Sequence, residues 1–267
     1  MTTFFEKPVR EVMTTNLLTI DIKKKVSDAV EMLTKNNVGS ILIARNEKIF
    51  GVISETDIVR EIVACGLSPD EVIIEKLLSG PPLSIDLDTP IKEAYYAMVL
   101  WKVRHLLVTD RGKEVGLISV RDILYAPGRP NRKYHLSERP IETIMNKNLI
   151  TAPTETTVLE AVRLMKERNI HSLLIGSEKE ITGILTERDI VQKVAGKKLN
   201  PKEVKTEEIM AVALKTVYHS TPIRKVYREM GEEGVRHLVV VDADGPVGMV
   251  SATDLIRLEA QETGEEI

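Results

Sequence analysis

Four short stretches of the chain repeat one pattern at nearly constant spacing, and this repetition restricts the fold more than any other feature. They are GVISETD from Gly51, GLISVRD from Gly116, GILTERD from Gly183 and GMVSATD from Gly248. The shared form is Gly, two apolar residues, Ser or Thr, two variable residues and Asp. The glycines lie 65, 67 and 65 residues apart, and both Gly51 to Gly183 and Gly116 to Gly248 span 132. A fixed period of this kind marks repeated supersecondary units. Here it predicts four units arranged as two copies of a pair.

Counting back from each glycine keeps the columns aligned without a gap. Thirteen residues upstream stand Val38, Val103, Ile170 and Val235, each opening an apolar run; twenty-five upstream stand Val26, Ile91, Val158 and Ile223; thirty-two upstream stand Thr19, Ser84, Thr151 and Thr216. In the first repeat, 17–20 is predicted as a short strand. Val26, Ala29, Val30 and Leu33 follow the i, i+3, i+4, i+7 spacing of one apolar helix face. Asn36 and Asn37 mark that helix's end. A buried strand over 38–44, a polar turn at 46–48, a strand over 49–53 and a second helix from Ser54 to about Ala64 complete the unit. The same helix face carries Tyr95 and Met98 in repeat two, Met165 in repeat three, and Tyr227 and Met230 in repeat four. Core packing explains this Met and Tyr stripe better than a cofactor box. Each unit is therefore β-α-β-β-α. Units of about 55 residues are small for independent folding, so they are expected to pair.

The joints point to which units pair. GLSPDEV (66–72) and KLNPKEV (198–204) stand 132 residues apart and join repeats one to two and three to four. Ser68-Pro69 and Asn200-Pro201 read as helix starts, a cap followed by Pro at the first helical position. Between the pairs runs YAPGRPNRKYHLSERP (125–140), rich in Pro and basic residues and unlike the other joints. The expected boundaries are 7–66, 72–126, 140–197 and 204–260, with 127–139 as linker. Arg129, Arg132, Lys133 and His135 read as a solvated linker, with nucleic acid or a partner as the less favoured use.

Composition narrows the function classes. Apolar residues at 43%, charged residues at 29% and a net charge of −3 describe an ordinary globular chain with no global attraction to nucleic acid or anionic membrane. Cys65 is the single cysteine, so neither an intrachain disulfide nor a cysteine metal cage is available. The start MTTFFEKPVREVM has no basic segment followed by an apolar run, and the longest apolar run, near 94–101, falls short of a membrane span. A cytoplasmic location is the expectation. No P-loop, GxSxG, HExxH or CxxC is present. The carboxylates recur as repeats, not as an asymmetric constellation, so no catalytic residue, metal site or required cofactor is assigned.

Four β-α-β-β-α units each ending in Gly-apolar-apolar-Ser/Thr-x-x-Asp resemble CBS domains, over roughly residues 7–260. Tandem CBS pairs form Bateman modules, and the resemblance implies an α/β (α+β) fold of two such modules closing into a disc. Four such units with no added catalytic domain are similar to gamma subunits of AMP-activated protein kinase and to stand-alone archaeal CBS proteins. That likeness implies AMP, ADP or ATP in clefts between paired motifs. It also implies regulation of a protein partner, with a homodimer compatible.

Taken as physics alone, Ser/Thr-x-x-Asp is a helix capping box. The same geometry can clamp a ribose phosphate, since a helix start offers amide donors and a partial positive charge. The resemblance assigns Asp57, Asp122, Asp189 and Asp254 to the ribose, and Ser54, Ser119, Thr186 and Ser251 to phosphate. Cations for phosphate are distributed unevenly at the central strand: Arg104-His105, His171 and Arg236-His237, against Gly39-Ser40 in repeat one. Arg121 and Arg188 are further candidates. Gamma subunits carry His-Arg where this chain has Arg-His, which leaves open which side chain faces a ligand. The resemblance places adenine between the early strand (Leu18, Thr19, Ile150, Thr151) and the residue opening the central strand (Val38, Val103, Ile170, Val235). Lys215 breaks the apolar pattern in repeat four. One or two strong sites are expected, those drawing on Arg104 or Arg236. The competing readings are a scaffold or nucleic-acid-binding module, and a sensor of S-adenosylmethionine.

Overall fold

The computed structural model describes residues 4–46, 48–78, 80–124, 126, 138–177 and 180–262. Repeat one comprises β1 (Thr19–Asp21), α1 (Val26–Asn36), β2 (Ser40–Arg45), β3 (Lys48–Ser54) and α2 (Glu55–Asp57), which runs on as a π-helical segment, Ile58–Val63. Repeat two has β4 (Ser84–Asp86), α3 (Ile91–Leu100), β5 (His105–Asp110), β6 (Lys113–Ser119) and α4 (Val120–Leu124). Repeat three has β7 (Thr151–Ala152), α5 (Val158–Glu167), β8 (Ser172–Gly176), β9 (Ile181–Thr186) and α6 (Glu187–Ile190), again continued as π-helix over Val191–Ala195. A short α7 (Thr206–Ile209) precedes repeat four, which holds β10 (Thr216–Tyr218), α8 (Ile223–Glu233), β11 (His237–Val241), β12 (Pro246–Ser251) and α9 (Ala252–Glu262).

Each repeat makes its own three-stranded sheet, in the order β1-β2-β3 and its equivalents. The first two strands are parallel, as a helical crossover requires, and the last two form an antiparallel hairpin. The motif glycine lies opposite Ile43, Val108, Ile175 or Val240, and a register shift follows at each of those positions. The first helices bury the faces their spacing predicts. Val26, Ala29, Val30 and Leu33 are each at most 1% exposed, and Ile91, Ala94, Tyr95 and Met98 at most 2%. The Met and Tyr stripe is core. At the end of each first helix one column, Asn37, Lys102, Asn169 and Gly234, takes a positive φ between 51 and 65°, the left-handed stop usual for a helix C-terminus.

The repeats are distributed over two compact units. One holds 1–17, 83–149 and 215–267, and so repeats two and four; the other holds 18–82 and 150–214, and so repeats one and three. The apolar cores follow the same division. Val30, Leu33, Ile58 and Ile62 share a core with Val162, Met165, Ile190 and Val194. Tyr95, Met98 and Ile123 share another with Val226, Met230 and Ile256. The connectors join one to two and three to four, whereas the helix faces bury one with three and two with four.

The segments ahead of each repeat add to this exchange. Residues before repeat one bridge repeat two, where Thr14 N donates to Leu117 O and Leu117 N to Thr14 O, both at 2.9 Å. Asn146 bridges Met249 and Ala211 bridges Ile184 in the same way. The predicted helix starts at Ser68-Pro69 and Asn200-Pro201 are corrected to single turns. Their carbonyls are drawn off to cap other helices. Val72 O and Pro69 O accept from Val26 N and Ser27 N at 2.9 and 3.0 Å, and Val204 O and Pro201 O accept from Val158 N and Leu159 N at 2.9 and 2.8 Å. These bonds satisfy orphan donors in the first turns of α1 and α5. Residues 127–137 of the expected linker, with Arg129, Arg132, Lys133 and His135, lie outside the described residues.

Candidate functional site

The Ser/Thr-x-x-Asp motif is a capping box in all four repeats. Ser54, Ser119, Thr186 and Ser251 each donate their hydroxyl to Oδ2 of Asp57, Asp122, Asp189 and Asp254 at 2.5–2.7 Å. The same Oδ2 atoms accept the backbone N–H of the Ser or Thr at 2.7–3.1 Å. The Asp amides donate back to the hydroxyls at 3.3–3.4 Å. The next amide is spent as well. Glu55 N, Val120 N, Glu187 N and Ala252 N donate to the carbonyls of Gly39, Arg104, His171 and Arg236 at 2.9–3.3 Å. Three amides of each helix start are therefore satisfied within the repeat. The expectation of open helix-start donors for phosphate is corrected accordingly: side chains must supply most of any phosphate contact.

The question of which side chain faces the motif is answered by strand register. His105 pairs directly with Ser119, His237 with Ser251, Ser40 with Ser54 and Ser172 with Thr186. Directly opposed residues share a sheet face, so the histidine, not the arginine, lies beside the motif serine in repeats two and four.

The 1/3 unit uses its charges on itself. Glu55 and Glu187, the residues after the motif Ser and Thr, are each 3% exposed. Arg188 Nε donates to Glu55 Oε1 at 2.8 Å and its Nη1 to Asn37 Oδ1 at 3.2 Å. His171 Nδ1 stands 2.9 Å from Glu187 Oε1, and Thr56 Oγ1 donates to Glu187 Oε2 at 2.8 Å. Three of these contacts, Arg188 to Glu55, Arg188 to Asn37 and Thr56 to Glu187, cross between repeats one and three. Arg188 and His171, candidates for phosphate, are thus held by carboxylates. Glu55, Glu187 and Thr56 were not singled out by motif reasoning. The signal for the two glutamates is legible in the column after the motif Ser or Thr, which reads Glu, Val, Glu, Ala; Thr56, one position further on, carries none.

The 2/4 unit has a different electrostatic character. Desolvation, then the positive charges of Arg104 and Arg236, push the His105 imidazole down to about 3. Arg104 and Arg236, far apart in sequence, therefore act on one imidazole. Burial raises the Asp122 carboxyl above its ordinary value, opposed by hydrogen bonds from Ser119 and Thr14 and by the charge of Arg121. Thr14 comes from the segment ahead of repeat one, with Oγ1 donating to Asp122 Oδ1 at 3.3 Å. No periodicity within repeat two could have revealed it.

The adenine columns are half-buried at Leu18, Val38, Val103, Ile150, Thr151, Ile170 and Val235, and Thr19 is exposed. Much of their backbone is committed to the fold. Leu18 O accepts from Leu42 N at 2.9 Å and Ile150 O from Leu174 N at 3.3 Å, while the amides of Val38, Val103, Ile170 and Val235 donate back to Leu33, Met98, Met165 and Met230 at 2.9–3.1 Å. Leu18 and Thr19 line a surface cleft of about 540 Å³ with Met32, Lys35 and Asn36. Lys215 pairs with Glu233 at 2.6 Å. Among the described residues no group of three or more His, Cys, Asp or Glu has the geometry to hold a metal ion. No helix among them is long and apolar enough to cross a membrane.

Comparison with known proteins follows the same four-part division. The CBS domain model matches residues 9–64, 74–129, 141–196 and 206–260. The curated relative CBS domain-containing protein CBSCBSPB3 of Arabidopsis thaliana is 24% identical over 278 aligned positions, 90% of this chain and 50% of the relative. Meiotically up-regulated gene 70 protein of Schizosaccharomyces pombe is 22% identical, covering 98% of this chain and 46% of its own length. The chain thus spans about half the length of these relatives. Among solved structures, protein MJ1225 of Methanocaldococcus jannaschii, described as a candidate archaeal homologue of γ-AMPK, superposes with a TM-score of 0.78 at 18% identity over 94% of this chain and 99% of that one. A conserved protein of Pyrococcus horikoshii does so at 0.62 and 21%, with the same coverage. At these identities the likeness carries the fold alone. With the four model matches covering most of its length, the chain belongs to the CBS-domain family.

Proposed function

We propose that this chain is a non-catalytic sensor that binds adenine nucleotides, AMP, ADP or ATP, at its CBS motifs and transmits occupancy to a protein partner. The observation that carries this reading is the four-fold Ser/Thr–Asp pair, set in repeats two and four opposite His105 and His237, each of which follows an arginine in the chain. While Oδ2 holds the cap, Oδ1, which accepts from Thr14 in Asp122 and pairs with Lys193 in Asp189, has a second lone pair that can accept from a ribose hydroxyl. Phosphate recognition falls to Arg104, Arg236 and their histidines, since arginine gives strong, charge-assisted hydrogen bonds to phosphate. Family membership supports the reading, as does the described likeness of MJ1225 to γ-AMPK. The protein is expected to act in the cytoplasm and to need no cofactor. For sensing to follow from binding, the ligand must favour one arrangement of the chain over another.

Isothermal titration calorimetry of the whole chain with AMP, ATP and S-adenosylmethionine tests this. Saturable binding of AMP or ATP is the expected result. Binding of S-adenosylmethionine alone would move the assignment to that ligand. Silence from all three at up to millimolar concentration would sink it.

A further inference from the structure

Three columns around the motif alternate with the folding units. In the 2/4 unit they read Arg104 and Arg236, His105 and His237, Val120 and Ala252; in the 1/3 unit they read Gly39 and His171, Ser40 and Ser172, Glu55 and Glu187. Where one unit presents two arginines and two apolar residues, the other presents a glycine, a histidine and two glutamates.

The difference is built in three dimensions. A Cβ on Gly39 would lie 3.6 Å from Glu55 Oε2 and 3.9 Å from Arg188 Nη2. In repeat one the Glu55–Arg188 pair therefore fills the space into which Arg104 would project from the matching position of repeat two. Both glutamates are 3% exposed and held by Arg188, His171 and Thr56. Arg188, committed to Glu55, cancels that carboxylate's charge and leaves little attraction for a phosphate, whereas the buried Glu187, poorly screened by solvent, opposes one. Bringing a phosphate there would also mean breaking pairs that keep two carboxylates satisfied. In the 2/4 unit the equivalent positions carry no charge, and Arg104 and Arg236 both act on the one imidazole of His105.

We propose that the two units sort adenosine ligands by charge: the 2/4 unit takes phosphorylated ones, and the 1/3 unit rejects these and takes adenosine derivatives whose tail carries no negative charge. This rests on the adenosine-ligand reading above. It makes Glu55 and Glu187 specificity-determining residues of repeats one and three.

The test is equilibrium dialysis of the whole chain with ATP and, separately, adenosine. Arg104→Met combined with Arg236→Met should weaken ATP binding about tenfold or more and shift adenosine binding less than twofold. Glu55→Gln combined with Glu187→Gln should add ATP equivalents per chain beyond those of the unaltered protein. Should the glutamine pair fail to fold, as read by circular dichroism, the arginine pair decides alone. ATP binding indifferent to the arginine pair, or no ATP equivalents added by the folded glutamine pair, overturns the sorting while leaving the adenosine reading intact. If neither ATP nor adenosine binds the unaltered chain, that reading fails, and the sorting with it.

Discussion

Met145 Sδ lies 2.6 Å from where a Cβ on Gly248 would stand, and the carbonyl of Asn146 lies 3.0 Å from the same point. The motif glycine is therefore required by what covers it. In the other repeats Leu78, Met13 and Met210 take the place of Met145 over Gly51, Gly116 and Gly183.

Gly248→Ala is expected to destabilise the protein by about 1–3 kcal/mol, the usual cost of overpacking. The Met145 side chain can yield, but the Asn146 carbonyl belongs to the bridge with Met249. Gly231→Ala is the control: nothing lies within 4 Å of its added Cβ, and it sits inside α8. There alanine should be neutral or stabilising by up to about 1 kcal/mol through helix propensity. Thermal melts of both variants decide. Equal midpoints would show that the covering side chain has no role.

Arg188→Met leaves Glu55 in a buried position without its guanidinium. Removal of one partner of a buried pair costs roughly 3–5 kcal/mol; the 20% exposure of the Arg188 side chain argues for the lower end. Adding Glu55→Gln should restore much of the loss. Denaturation midpoints of the two variants give the comparison, and an unchanged midpoint for Arg188→Met would mean the pair is energetically idle.

Two groups of the 2/4 unit give opposite pH dependences. His105 binds its proton near 3 when folded and near 6.5 when unfolded. The unfolded chain takes up the proton first, so this contribution to stability is whole above pH 6.5 and is lost as pH falls from there toward 3. Asp122 is raised above 3.8 by burial. Its ionisation penalises the fold at neutral pH, and acid relieves that penalty as pH falls through the raised value. His105→Gln should therefore flatten the loss of stability below pH 6.5, and Asp122→Asn should steepen it. By proton NMR, the His105 ring should show no titration between pH 5 and 8; a midpoint near 6.5 would contradict a desolvated ring flanked by two arginines.

Asp122→Ala and Asp254→Ala should each weaken nucleotide binding by about tenfold, read by calorimetry. Each also loses a capping box, for about 1 kcal/mol of stability. Nucleotide binding unaltered in both Asp variants, with only the stability loss, would reduce the motif to a cap.

Local sequence was sufficient for the repeat, the β-α-β-β-α unit and the buried helix faces. Each depends on contacts within some 60 residues, and a spacing of 3.6 or 2 records which side of an element is apolar. Val26, Ala29, Val30 and Leu33 could be assigned to the core without knowing their neighbours. Such periodicity says that a face is buried and not against what. Only tertiary packing joined repeat one to three, set Thr14 on Asp122, laid Met145 over Gly248 and turned Arg188 toward Glu55. The Ser/Thr-x-x-Asp motif shows the same limit. Its four copies share the Ser or Thr and the Asp and are equal as caps, because a capping box closes within one turn. The residue after the Ser or Thr already differs, but what Glu55 and Glu187 meet arrives from elsewhere in the chain, and electrostatic effects at that range are fixed by the fold and not by spacing.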